Sequence, residues 1–178
     1  MGNSDDKFKV IPIGDPHYAA IGLVASNWAR LERFADEAIW ELLQTNPALS
    51  ACVTAQMMGL RPRFLAIQAL LRSFAAPDKD IDTVDRLLRR SYELANERNR
   101  IVHDPWFYNI RTDARARYAA TVDSQGRPTL AFIEVPKDDL NRLAQRVHDF
   151  AEKAFETFDN ILQPLRDKHP QWRVVARG

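Results

Sequence analysis

The chain has 178 residues, 46% of them hydrophobic, which is one domain of ordinary size with enough apolar material for a proper core. Its formal net charge is +1, so no global basic field of the kind that dominates nucleic-acid binding surrounds it, and any RNA affinity has to come from a local patch. One cysteine, Cys52, excludes an intrachain disulfide, and four scattered histidines without cysteine partners offer no metal-ligand spacing, so neither a metal nor a cofactor is expected.

Residues 1–16 are polar and interrupted by Pro12 and Gly14; without a long apolar run they read as a flexible segment, neither signal peptide nor membrane anchor, and the chain reads as cytoplasmic with no membrane partner. A first long helix is predicted from about Tyr18 to Gln44, where Ile21, Val24, Trp28, Leu31, Ala35, Ala38 and Leu42 recur at three and four, and Asn46-Pro47 stops it. A second helical region comes in two pieces, Ala48 to Met58 and Pro62 to Phe74, interrupted at Gly59 by a break or a kink.

The third helix starts after Ala76-Pro77, with Asp80 or Asp82 as its cap. At about 100° per residue, Val84, Leu87, Leu88, Ser91, Leu94, Ala95, Ile101 and Val102 form one apolar stripe, and Arg98 falls inside it. The opposite side shows Arg86, Arg89, Arg90, Glu93 and Arg100, which is either a strip that leads RNA along the helix or a solvated face with acidic partners.

From Trp106 to Val135 the helical period is lost. Tyr118, Ala120 and Val122 alternate before Asp123-Ser124-Gln125-Gly126-Arg127-Pro128, and β-formers come after it, so a β-hairpin is predicted over about 115–135. Trp106, Phe107 and Tyr108 form either a short third strand or a loop packed on the helices; bases could stack on these aromatics only if they were exposed. The last helix runs from about Lys137 to Asp167 with Leu140, Leu143, Val147, Phe150, Ala154, Phe158, Ile161 and Leu165 on one stripe. The expected fold is mainly α: an up-and-down four-helix bundle over residues 17–169 with a small β-hairpin between helices 3 and 4. Residues 170–178, with Trp172, Val174 and Val175, form a tail that either crosses the bundle or frays.

The chemistry is concentrated in Glu97-Arg98-Asn99-Arg100-Ile101-Val102-His103-Asp104-Pro105. On an ideal helix Arg98 and His103, five residues apart, diverge by about 140°. Pro105 ends the helix, because the residue before a proline avoids the α region, and so gives His103 room to swing back. A planar, permanently charged guanidinium can grip two phosphate oxygens and stabilise a pentavalent state. An imidazole, with an ordinary pKa of about 6.5, can move a proton near neutrality. Asn99, four residues before His103, can orient the imidazole or donate to the phosphate. The alternatives are structural: Arg98 can pair with Glu37 or Glu41 of the first helix, and His103 can simply cap the third.

Arg98-Asn99 followed by three residues and His103 resembles the R-x(4 to 6)-H motif of the HEPN superfamily, in which a polar residue, often Asn, follows the Arg and the motif closes a core helix of an all-α bundle. A second pair with suitable spacing, Arg142 and His148, has no Asn after the Arg and no helix stop, so context rather than spacing carries the likeness. The resemblance implies a metal-independent endoribonuclease of a toxin or phage-defence kind, with Arg98, Asn99 and His103 catalytic and the 2′-hydroxyl attacking the adjacent phosphate. It also implies a homodimer with the two motifs near the interface, and an antitoxin partner in a toxin setting. Arg89, Arg90 and Arg100 are the candidate RNA-binding residues. Toxins of one HEPN branch carry a Tyr two residues after the motif His that a partner enzyme adenylylates; Pro105 stands there, so that regulation is not available. The runner-up reading is a non-catalytic helical module that uses the same residues to bind a nucleotide or a partner.

Overall fold

The structure, a computed structural model, describes residues 7–122 and 125–170. In chain order it comprises β1 (Phe8–Val10), α1 (Pro16–Leu43), α2 (Pro47–Thr54), α3 (Leu60–Ser73), α4 (Asp78–His103), β2 (Trp106–Asn109), β3 (Arg115–Val122), β4 (Pro128–Glu134) and α5 (Lys137–Lys168). The protein is mainly helical, with one small antiparallel sheet. The expectation for the 170–178 tail falls almost wholly outside the described residues, as does that for the hairpin tip at Asp123-Ser124.

Helix boundaries obey local chemistry. After Leu43 the chain turns left-handed at Gln44 (φ 50°), Asn46 accepts from the Ala48 N–H at 2.9 Å, and Pro47 opens α2 where its missing N–H costs nothing. The interruption expected at Gly59 is a full break between two helices, with Gly59 at φ 73° on the threshold of α3. α4 begins at Asp78, ahead of the expected cap at Asp80 or Asp82. The Asp80 N–H bonds the Pro77 carbonyl, and Asp78 and Asp80 place negative charge on the first turn, where the helix dipole favours it.

The predicted hairpin is present as β3 and β4, paired from Ala116 opposite Glu134 to Val122 opposite Pro128. It is half of the sheet, whose order is β1-β2-β3-β4. Trp106–Asn109 is a strand rather than a loop, and the segment expected to be flexible supplies β1, with Val10 opposite Phe107. Three residues with no periodicity announce nothing in sequence; pairing with β2 makes them a strand.

The chain divides into two compact units, and α1, α4 and α5 each give one end to each unit. In the first unit (residues 1–26 and 95–147), Ile11, Val24, Ile101, Trp106, Ala116, Ala119, Leu140, Leu143 and Val147 are buried. In the second (27–94 and 148–178), Leu31, Ala35, Ile39, Leu42, Phe64, Ile67, Leu71, Val84, Phe150, Phe158 and Leu162 are buried, and Phe64 meets Phe158 with ring centroids 5.6 Å apart. Each such large side chain contributes roughly 1.5–3 kcal/mol. The second unit also buries charge in pairs: Arg166 grips both oxygens of Glu41, and Arg63 pairs with Asp36 while donating to the carbonyls of Met57 and Gly59 that link α2 to α3.

Candidate active site at the end of α4

The last turns of α4 lie in the first unit. Ile101 is buried there, Arg98 half-buried, and Asn99, Arg100 and His103 are exposed. Arg98 and His103 do meet: Arg98 Nη1 lies 3.1 Å from His103 Nε2 and 2.9 Å from Asn99 Oδ1. The long arginine side chain reaches along the helix surface to span the angle that separates the two positions, so no bend is needed. A guanidinium only donates, so hydrogen-bond chemistry assigns His103 Nε2 as acceptor, with the ring proton on Nδ1, and the Asn99 carbonyl oxygen as the atom facing Arg98. The Asn99 side chain thus contacts Arg98 through its carbonyl oxygen.

Contacts made by Asp104, Pro105 and Trp106 fix the position of His103. The Trp106 indole Nε1 donates to the Ile101 carbonyl at 2.9 Å, closing one of the carbonyls that a helix end leaves open. Asp104 Oδ2 accepts from Arg117 Nη1 of β3 at 2.5 Å, and the Tyr118 N–H bonds the Pro105 carbonyl at 2.9 Å. His103 thus terminates a helix clamped to the sheet through the residues immediately after it. Sequence reasoning singled out neither Arg117 nor Asp104 for this role. Their only signal was an acid directly after the motif histidine and an arginine inside an alternating strand.

Glu37 accepts from Arg33 Nε at 2.7 Å, and Glu41 is gripped by Arg166. His103 turns Nε2 to Arg98, and the carbonyl-capping work falls to the Trp106 indole.

The three arginines expected to bind RNA are not alike. Arg89 is exposed and ion-paired with Asp85 at 2.6 Å, and Arg90 lies 5.9 Å from the Phe150 ring centroid; both belong to the second unit. Arg100, in the first unit, makes no ion pair among the described residues. It lines a cleft of about 220 Å³ with Glu97, Ile101, Arg117, Leu140 and Leu143, on the face of α4 turned away from Asn99 and His103. Arg146 holds the Glu97 carboxylate with both nitrogens at 2.7 and 2.9 Å.

A second polar cluster occupies the same unit. Asp15 is buried, accepts from the His17 N–H at 2.9 Å and from Arg115 Nε at 2.9 Å, and lies beside a cleft of about 300 Å³ lined by His17, Arg115, Glu134 and Lys137. Burial alone pushes the Asp15 carboxyl up, but the His17 amide and the Arg115 guanidinium outweigh it and hold the group below the usual carboxylate range.

Among the described residues no helix is long and apolar enough to cross a membrane, and no three His, Cys, Asp or Glu side chains gather where they could hold a metal ion. Compared with protein-family models, with curated proteins and with solved structures, the chain matches none.

Proposed function

We propose that this protein is a metal-independent endoribonuclease of HEPN type, its helices forming the four-helix bundle of that superfamily with the sheet as an insertion. The observation that carries the reading is the exposed contact of Arg98 with both Asn99 and His103 at the end of α4. It puts a cation suited to phosphate oxygens within hydrogen-bond reach of a group that can move a proton.

In this reading an RNA phosphate binds the Arg98 guanidinium and displaces its bond to His103, freeing Nε2 as a base. Nε2 takes the proton of the ribose 2′-hydroxyl as that oxygen bonds to phosphorus. The bond to the 5′-oxygen breaks, and the leaving oxygen takes a proton from water or from the second histidine of a dimer. The products are a 2′,3′-cyclic phosphate and a 5′-hydroxyl. Arg98 carries the extra negative charge of the pentavalent state, and Asn99 holds the guanidinium plane. Neither the cleft at Arg100 nor the one at Asp15 is lined by Arg98 or His103. A second copy, presenting its own motif to the first, supplies the other wall of the site, and Arg100 contributes to RNA binding. A toxin or defence role, with an antitoxin as regulator, belongs to the same reading.

The test is incubation of total RNA with purified protein in excess EDTA, with end-group analysis of the products. Fragments with cyclic-phosphate and 5′-hydroxyl ends are expected. Intact RNA at every protein concentration overturns the enzyme reading in favour of a non-catalytic binding module.

A further inference from the structure

The cleft of about 220 Å³ in the first unit is lined mostly by apolar side chains: Ile101 of α4, Ile133 and Val135 of the sheet, and Leu140 and Leu143 of α5. Four charged side chains share it, and they are not equally engaged. Arg146 holds the Glu97 carboxylate with both nitrogens, and Arg142 pairs with Asp139, so each acid of the lining already has its cation. A cationic ligand would have to displace an arginine.

The two arginines differ from the acids. Arg117 stands on β3 between its cross-strand partners Trp106 and Ile133 and is 9% exposed. Its guanidinium makes one hydrogen bond among the described residues, from Nη1 to Asp104 Oδ2, which leaves Nε and Nη2 without an acceptor there. Buried side-chain donors normally have partners, and a guanidinium carries five N–H groups that only donate. Asp104 also neutralises Arg117, so the unmatched charge of the cleft is that of Arg100, which is exposed and makes no ion pair among the described residues. Unmet donors on a buried cation, one unmatched positive charge and an apolar lining together describe a ligand with a single anionic head and an apolar body.

We propose that this cleft binds a small monocarboxylate, its head accepting from Nε and Nη2 of Arg117 and attracted by Arg100, its apolar tail against Leu140 and Leu143. Carboxylate and guanidinium are matched as planar, bidentate partners. The space equals roughly seven water molecules at about 30 Å³ each, which suits an acid of about seven to ten non-hydrogen atoms. A phosphate dianion would bring more charge than Arg100 offsets. The site does not rest on the reading of Arg98 and His103, neither of which lines the cleft.

The test is titration of the full chain with hexanoate, followed through the methyl resonances of isoleucine, leucine and valine, beside the same titration with hexanamide. Saturable shifts are expected with a Kd on the order of 0.1–1 mM, as befits so small a ligand. Hexanamide, with the same tail and no charge, should bind at least about 10-fold more weakly, and Arg117→Met should lose hexanoate by a similar factor. Two further variants apply even where Arg117→Met fails to fold. Arg100→Glu reverses the unmatched charge at an exposed position and should weaken hexanoate several-fold, and Ile133→Trp should block it by filling the cleft. No saturable shift up to about 10 mM hexanoate overturns the proposal. So does hexanamide binding as tightly as hexanoate, or affinity unchanged in folded Arg100→Glu and Ile133→Trp proteins.

Discussion

Arg98 and His103 occupy one another: at 3.1 Å the guanidinium bonds the ring nitrogen that the proposed chemistry needs as a base. Binding of an anion to Arg98 therefore also releases Nε2, and the two groups have to act as a unit. Arg98→Lys should lose about as much cleavage as Arg98→Ala, on the order of 10²–10³-fold, because an ammonium reproduces neither the planar fork nor its hold on Asn99; initial rates on a labelled RNA check this. Asp15 gives a residue-scale test of stability. Its carboxyl is held below the usual range in the folded chain, so the stability it contributes is complete at pH values above the unfolded carboxylate pKa. That stability is lost as the pH falls through the folded value. Asp15→Asn should cost roughly 1.5–3 kcal/mol near neutrality, and the difference from wild type should shrink toward acid pH in urea titrations. The site trio was legible in the sequence because it is contiguous in the chain and lies at a helix stop. Asp104, Trp106 and Arg117 were not read as its supports, since a strand residue meets the helix end only through a sheet register that no local pattern announces.

At the scale of elements, the helices were legible to within a few residues because their apolar positions recur every three or four and their ends carry Asn46-Pro47, Gly59 and Ala76-Pro77. The sheet was half legible: β3 and β4 alternate, while β1 is three residues long and β2 is an aromatic run that suits a loop as well as a strand. Left-handed Ala75 (φ 51°), beyond the end of α3, is a position glycine would hold with less strain. Ala75→Gly should raise stability by roughly 0.5–1 kcal/mol, less any gain in unfolded-chain entropy, as a higher denaturation midpoint at unchanged slope. Between α1 and α5 in the second unit, the Glu41 side chain is 2% exposed and that of Arg166 13%. Removing Arg166 takes away the cation that grips both oxygens of a buried carboxylate. Arg166→Ala should therefore cost about 3–5 kcal/mol, while Glu41→Leu with Arg166→Met should recover most of it, measured by thermal or urea unfolding.

For the whole molecule, a net charge of +1 gives RNA no long-range attraction, so in the proposed reading recognition is local to the end of α4 and carried by few phosphates. Binding should accordingly show a shallow dependence on salt, with a log–log slope of magnitude about 1 to 3, measured by titration of a labelled RNA. The central claim is that Arg98 and His103 together break RNA without a metal. Its most direct measurement is cleavage of a labelled tRNA in excess EDTA by the wild-type protein, beside Arg98→Ala and His103→Ala proteins with wild-type melting curves. The account predicts cleavage by wild type, falling at least about 10²-fold in each variant. Equal cleavage by all three proteins, or cleavage by none, would contradict it.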